Sequence, residues 1–262
     1  MNELTEPFAP SLLANLRAAS QVLALTGAGI SAESGVPTFR DAQTGLWAKF
    51  KPEDLATVQA FERQPQVVWE WYAWRRQWVA QAKPNPGHLA LAEMERRVPH
   101  FTLVTQNVDG LHHLAGSRNV IEVHGNIMRT KCFREEVLIE RWDDSGERPP
   151  RCPRCGGPLR PDVFLFGEML PPGAFERAAA AAASCQVCLA VGTSAVVQPA
   201  ASLPLLAKQH GALFVEVNPD STPLTQEADF SLRGLAGVIL PALVKAAWDA
   251  EQPSAYTRVE TA

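Results

Sequence analysis

The chain reads as an α/β protein of the doubly wound, Rossmann-like kind, a parallel sheet carrying a smaller inserted module that is partly helical and partly zinc-ribbon-like. Apolar runs at Val22 to Leu25, Phe101 to Thr105, Val120 to Val123, Val187 to Val191 and Leu213 to Val217 recur with helical stretches between several of them, the pattern of parallel strands covered by helices. The first run breaks into Gly27-Ala28-Gly29-Ile30-Ser31, two close glycines that let a strand-to-helix turn approach a phosphate through bare N–H groups. Two regions interrupt the alternation. Residues 46–81 are helical and rich in tryptophan, and residues 128–160 carry Cys132, Cys152 and Cys155 among prolines, glycines and charges.

The expected boundaries follow from these breaks. Residues 11–45, 84–127 and 161–250 form the Rossmann-like part, 46–83 and 128–160 the small module, and 251–262 a polar tail. With 262 residues, 46% of them hydrophobic and 20% charged, the chain can bury a large core. A net charge of −4 and a pI near 5.9 give no basic excess, so no nucleic-acid partner is expected. The acidic start, Met1 to Pro7, lacks the charged flank and apolar heart of a signal peptide. The longest apolar region, Ala178 to Val197, is interrupted by Ser184, Gln186 and Thr193 and does not read as a membrane span. A cytoplasmic protein without a membrane partner is expected. Five cysteines and no secretory signal favour metal ligation or burial over disulfides.

Strand ends carry the polar residues. Thr26-Gly27-Ala28-Gly29, Gln106-Asn107-Val108-Asp109-Gly110, His124-Gly125-Asn126, Gly192-Thr193-Ser194 and Asn218-Pro219-Asp220 each follow an apolar run, and in a doubly wound sheet such ends converge on one crevice. The glycine turn reads as G-x-G-x-x-A with Ala32 in the third place, and the polar, proline-containing segment Glu33 to Asp41 that follows could cover a cofactor. His124, an imidazole beside a glycine, suits general-base work on a sugar hydroxyl, although a histidine satisfied at a strand end is the plainer alternative. His112 and His113 are adjacent on a helix, cannot share one face, and are read as structural. Asn107 and Asp109 flank Val108, where buried polar groups need partners and loop capping is the simplest role.

On the helix from Pro65 to Gln81, Val67, Trp71, Trp74 and Trp78 form one apolar stripe, read as core contact. Tyr72 and Arg75 lie three apart on its flank. Cys185-Gln186-Val187-Cys188 has metal-ligand spacing but enters a core strand whose alternation would separate the thiols, so burial is the reading preferred.

Taken in order, Gly27 to Ser31, Pro37-Thr38-Phe39-Arg40, Gln106 to Asp109, His124-Gly125-Asn126, Gly192-Thr193-Ser194 and Asn218-Pro219 resemble the sirtuins, NAD-dependent protein lysine deacylases, from about Leu12 to Val244. The resemblance implies NAD as cosubstrate and acylated lysines of cellular proteins as partners. It implies that the acyl oxygen attacks the anomeric carbon and expels nicotinamide, that His124 then deprotonates the ribose hydroxyl, and that the products are lysine, nicotinamide and O-acyl-ADP-ribose. Asn107 and Asp109 would join His124 as catalytic residues, holding ribose and carboxamide together with Gln106. Gly27, Ala28, Gly29, Ile30, Ser31, Glu33, Pro37, Thr38, Phe39, Arg40, Trp47 and Val108 would line the cofactor side. Gly192, Thr193 and Ser194 would meet phosphate or ribose, and Asn218, Pro219, Asp220 and Ala236 the adenosine half.

The stretch Arg160 to Glu168 is similar to the family's peptide-binding segment, which implies substrate contacts from Val163, Phe164, Phe166, Gly167 and Glu168. Phe164 or Phe166 would wall the acyl-lysine tunnel, with a core aromatic as the alternative. Tyr72 and Arg75, preceded by Ala56, match the branch that removes succinyl, malonyl or glutaryl groups, where a guanidinium can fork onto a carboxylate. The family's structural zinc uses two Cys-x-x-Cys pairs. Here Cys152-Pro153-Arg154-Cys155 is whole, but Cys132-Phe133-Arg134-Glu135 offers Glu135 in place of the fourth thiolate, so either the carboxylate completes the site or the module packs without metal. A mono-ADP-ribosyltransferase and a non-catalytic NAD or ADP-ribose sensor remain open as rivals. A dehydrogenase fits less well, because the acid that fingerprint places about 20 residues beyond its glycines is missing.

Overall fold

The computed structural model describes residues 8–37, 49–144, 146–168, 170 and 173–249. All five expected runs form strands: β1 (Gln21–Thr26), β2 (His100–Thr105), β3 (Val120–Glu122), β6 (Val187–Val191) and β7 (Leu213–Asn218). A further strand, β8 (Phe230–Arg233), completes a six-stranded sheet in the order β3-β2-β1-β6-β7-β8, every neighbouring pair parallel. Its four residues, alternately half-buried and exposed, are too few and too polar to stand out in the sequence.

Side-chain alternation sends successive residues of a strand into different cores. Along β1, Val22 and Ala24 face a large cluster with Leu12 and Leu16 of α1 (Pro10–Ala18), Leu91 and Met94 of α6 (Pro86–Arg97), and Leu240 and Leu243 of α10 (Ala236–Val244). Leu23 and Leu25 face the opposite cluster, where Ala174, Ala178 and Ala182 of α8 (Ala174–Ser184) and Leu203 and Ala207 of α9 (Leu203–Gln209) pack. The apolar region from Ala178 to Val197 is thus the end of α8, the whole of β6 and the irregular stretch beyond it. Among the described residues no helix is long and apolar enough to cross a membrane.

The remaining elements complete the described fold. α2 (Ala28–Ala32) follows the glycine turn; α3 (Pro52–Leu55), α4 (Val58–Arg63) and α5 (Pro65–Gln81) come next, and α7 (Leu111–Leu114) follows β2. β4 (Gly125–Cys132) pairs antiparallel with β5 (Leu159–Val163), with a register shift between Asn126 and Thr130.

Two expectations need correction. The buried face of α5 is Val68, Trp69, Trp71, Tyr72 and Val79, while Trp78 is 49% exposed. The helix serves two cores at once, its main face packing on Phe61, Leu111, Ile127 and Leu165 and Trp69 entering the cysteine cluster, so the buried arc is wider than one stripe. Cys185 caps α8 before β6 begins, which places its thiol in hydrogen-bonding contact with that of Cys188. Strand alternation does not separate the pair, and both thiols are buried.

Candidate functional site

The carboxyl ends of the parallel strands carry the site, and the strand order sets the turn after β1 beside the turn after β6, where the winding reverses. Contact as well as dihedral demands glycine there. Gly192 has φ +57°, and a Cβ on it would lie 2.4 Å from the Ile30 nitrogen; a Cβ on Gly27 or Gly29 would lie 2.8 or 2.7 Å from the Gly192 carbonyl oxygen. The Gly29 N–H donates to that carbonyl at 2.8 Å, so the two turns are interlocked main chains.

Side chains then stitch the strand ends together. Gln106 Nε2 donates to Thr193 Oγ1 at 3.0 Å, and Asn218 Nδ2 donates to the Thr193 carbonyl at 2.9 Å. Ser194, Pro219 and Asp220 stand exposed beyond this chain. Asn107 Nδ2 donates to the Gly27 carbonyl and to Ser31 Oγ, both at 3.0 Å, which leaves the amide oxygen as the end able to accept from a ligand. Ser31 also hydrogen-bonds the Asp109 carboxyl and lies 3.3 Å from His88 Nε2. Asp109 Oδ1 accepts from the Leu111 N–H at 2.9 Å, starting α7 as loop capping would. Burial pushes the Asp109 carboxyl above its ordinary range, against the pull of those hydrogen bonds and of the Arg75 guanidinium.

Ile30 is wholly buried in the α1/α6/α10 core, so any ligand contact it makes runs through its backbone. Ala28 is exposed at the mouth of the turn, Val108 and Pro37 are half-buried, and Ala236 is buried at the start of α10. The Glu33 carboxylate accepts from the Gly237 N–H at 2.9 Å and so ties α2 to that helix. Thr38, Phe39, Arg40 and Trp47 lie outside the described residues.

His124 follows β3 at the same edge. Its Nδ1 is 3.0 Å from the Gln106 carbonyl, an atom that can only accept, so the proton sits on Nδ1 and the Nε2 lone pair has no hydrogen-bond partner among the described residues. Burial holds the imidazole below its ordinary value, partly offset by the same hydrogen bond, and keeps it neutral at pH 7. A neutral ring with one nitrogen anchored and a lone pair on the other can take a proton.

Across the crevice, the Phe164 N–H donates to the His124 carbonyl at 3.0 Å and the Phe166 N–H to the Ala56 carbonyl at 2.7 Å. Val163 is buried and Phe164 half-buried, whereas Phe166, 54% exposed, and Gly167 at φ +94° face outward. Glu168 binds Arg160 at 2.7 Å and accepts from the Leu165 N–H at 2.9 Å, so its carboxylate organises the segment from within. Tyr72 is buried, and half-buried Arg75 lies 5.9 Å from its ring and 5.8 Å from that of Trp71. Burial pushes the phenol up and the guanidinium down, and Asp109 and Tyr72 help the cation keep its charge.

A profile of the Sir2 family matches residues 27–199. An NAD-dependent protein deacylase of Aquifex aeolicus is 54% identical over 215 residues, covering 81% of this chain and 89% of its own. A solved Sir2 homologue in complex with NAD superposes with TM-score 0.87 at 48% identity, covering 95% of this chain and 97% of that one. A variant of a Sir2 homologue bound to 2′-O-acetyl ADP ribose gives 0.85 at 48% identity, over 93% and 98% of the two chains. The chain belongs to the Sir2 family. It is an NAD-dependent protein deacylase.

The sirtuin's cysteine module brings the thiols of Cys132, Cys152 and Cys155 and the carboxylate of Glu135 within 4.8 Å of one another. The Cys132 and Cys155 sulfurs are 3.5 Å apart, near the edge of about 3.8 Å that a tetrahedral zinc–sulfur geometry requires. The Glu135 and Gly157 N–H groups reach the sulfurs of Cys132 and Cys155 at 3.4 Å each, donors of the kind that steady a thiolate. Three thiolates and a carboxylate fit zinc, and Arg154, 3.0 Å from Glu135, orients the carboxylate.

Sequence reading missed two supports of this sirtuin site. Asn85 caps α6, and its amide also donates to the Ile30 carbonyl at 2.7 Å and to Ser34 at 2.9 Å, while His88 completes the capping box and touches Ser31. Asn85-Pro86-Gly87-His88 carries the signal, a capping residue followed by proline. Arg76 donates to the Ile127 and Arg129 carbonyls and to Thr130, pinning α5 to the irregular stretch of β4; nothing local to its own helix announces that.

Proposed function

We propose that this deacylase prefers lysines carrying succinyl, malonyl or glutaryl groups and removes acetyl groups less well. The reading is carried by Arg75, a partly desolvated guanidinium beside a buried phenol, on the helix that packs against Leu165 of the peptide segment. A cation stripped of part of its water gains more from a carboxylate than an exposed one does, and Tyr72 adds a hydroxyl. Bound NAD supplies an electrophilic ribose carbon and nicotinamide as leaving group.

The chain's own residues do the rest. His124 Nε2 takes a ribose hydroxyl proton, with Nδ1 held by Gln106 so that the ring keeps its aim. Asn107 presents its amide oxygen, and Asp109 its carboxyl, to the ribose and carboxamide. The backbone of Gly27, Gly29 and Gly192 admits phosphates, Thr193 and Ser194 sit beside them, and Asn218, Pro219, Asp220 and Ala236 border the adenosine half. Val163, Phe164, Phe166 and Gly167 meet the acyl peptide beside Ala56. The 2′-O-acetyl ADP ribose bound by a Sir2 homologue supports O-acyl-ADP-ribose as product.

Mass spectrometry of acetyl-, malonyl-, succinyl- and glutaryl-lysine peptides incubated with NAD tests the preference. In Arg75→Ala, kcat/KM on succinyl peptide should fall about 10- to 100-fold, with far less change on acetyl peptide. Equal losses on both would remove Arg75 from the acyl-reading role. His124→Ala should lower kcat by about 10² to 10⁴ on every acyl group.

A further inference from the structure

Two buried cations connect the cysteine module to the segment that ends at Glu168. Glu136 directly follows Glu135 and adopts φ +54°, a left-handed backbone uncommon for a residue with a Cβ. That turn points its carboxylate at Lys131 Nζ, 2.6 Å away, and at Arg160 Nη2, 3.8 Å away. Each cation also touches the segment. Lys131 Nζ lies 5.3 Å from the Phe164 ring centroid, and Arg160 Nη2 lies 2.7 and 2.9 Å from the two oxygens of Glu168, whose carboxylate accepts from the Leu165 N–H.

Arg160 is 1% exposed and lies 5.7 Å from the ring of Phe133, another residue of the cysteine turn. Its Nε and Nη1 have no hydrogen-bond partner among the described residues. A guanidinium so far from water depends on the carboxylates beside it, and one that moves or is neutralised by substitution shifts the balance at the other.

We propose that Arg160 is a positioning residue for deacylation. With Glu136 it transmits the state of the Cys132, Glu135, Cys152 and Cys155 cluster to the backbone of residues 164–168, and thereby sets affinity for the acyl peptide. This rests on the reading that those residues meet the peptide. A purely structural Arg160 would affect folding without separating peptide from NAD.

Glu136→Gln is the informative variant, because Glu136 is 53% exposed at its side chain, whereas Arg160→Ala would hollow the core and strip Glu168 of its partner. Hydrogen–deuterium exchange across residues 163–168 is compared for the natural protein, the same protein after zinc removal with EDTA, and Glu136→Gln. KM values for peptide and NAD and the zinc content are measured on the same samples. Faster exchange after both treatments is expected, with peptide KM raised about fivefold in Glu136→Gln, NAD KM unchanged and zinc retained. Unchanged exchange in either case overturns the coupling. Loss of zinc from Glu136→Gln also overturns it, since Glu136 would then act on the metal site itself. Faster exchange with unchanged peptide KM overturns instead the assignment of the segment to the peptide.

Discussion

The two sides of the crevice are held in place by different means. On the cofactor side, interlocked glycine turns and the Gln106–Thr193–Asn218 chain stand on the large core of the parallel sheet. On the opposite side, Trp69, Cys132, Ile139, Cys152 and Leu159 form a small cluster under ion pairs made by Lys131 and Arg160. The first side is fixed by steric exclusion around main chain and tolerates little change at a few positions. The second has little apolar area of its own and leans on paired charges beside a thiol and carboxylate cluster that suits a metal.

Zinc removal should separate the two most clearly. If free zinc stands a thousandfold above its Kd, chelation removes about 4 kcal/mol from the module it staples. Emission from Trp69 and Trp142, both packed in the cysteine cluster, should change while NAD affinity stays within about twofold. A collapse of NAD affinity, followed by calorimetric titration, would show that the sides are not independent.

The reverse experiment acts on the cofactor turns. Gly192→Ala forces a left-handed residue and a Cβ 2.4 Å from the Ile30 nitrogen, and should cost about 3 kcal/mol in denaturant unfolding together with NAD binding. Gly35→Ala shares the positive φ, +76°, but meets nothing within 4 Å, and should cost only about 1 kcal/mol. Similar losses in the two variants would mean that dihedral strain, not the contact between turns, decides the glycine.

The same contrast explains what the sequence disclosed. β1, β2, β6 and β7 were legible because each is an apolar run ending in a polar turn, and His124 because it follows such a run. Tyr72 and Arg75 were found as a helical pair, but the depth of Tyr72 was not, since burial of α5 is set by two cores that only the fold brings together. The link from Glu136 through Arg160 to Glu168 joins residues up to 32 positions apart by charge alone, and no local pattern encodes it. The second thiol pair was misjudged in geometry for a simple reason: Cys185 ends a helix, where strand alternation does not apply.

Beneath the cofactor turns lies a buried pair of imidazoles, His88 and His112, with ring centroids 4.9 Å apart. His88 Nδ1 accepts from the Asn85 N–H at 3.3 Å, its Nε2 lies 3.3 Å from Ser31 Oγ, and His112 Nε2 lies 2.9 Å from Thr26 Oγ1. Burial lowers His88 to about 4 and His112 to about 3. Both values lie below the unfolded value of about 6.5, so the unfolded chain binds more protons as pH falls from about 6.5, and stability drops by up to about 1.4 kcal/mol per pH unit for each ring. The contribution is complete above about pH 6.5 and is lost progressively toward the folded values. His124, also held low by burial, adds to the slope. Urea unfolding at pH 7, 6 and 5 should show this decline before most carboxylates titrate, and His88→Gln should reduce its steepness whatever it does to stability at pH 7. An unchanged slope in His88→Gln would remove this ring from the acid sensitivity and leave it to His112 and His124.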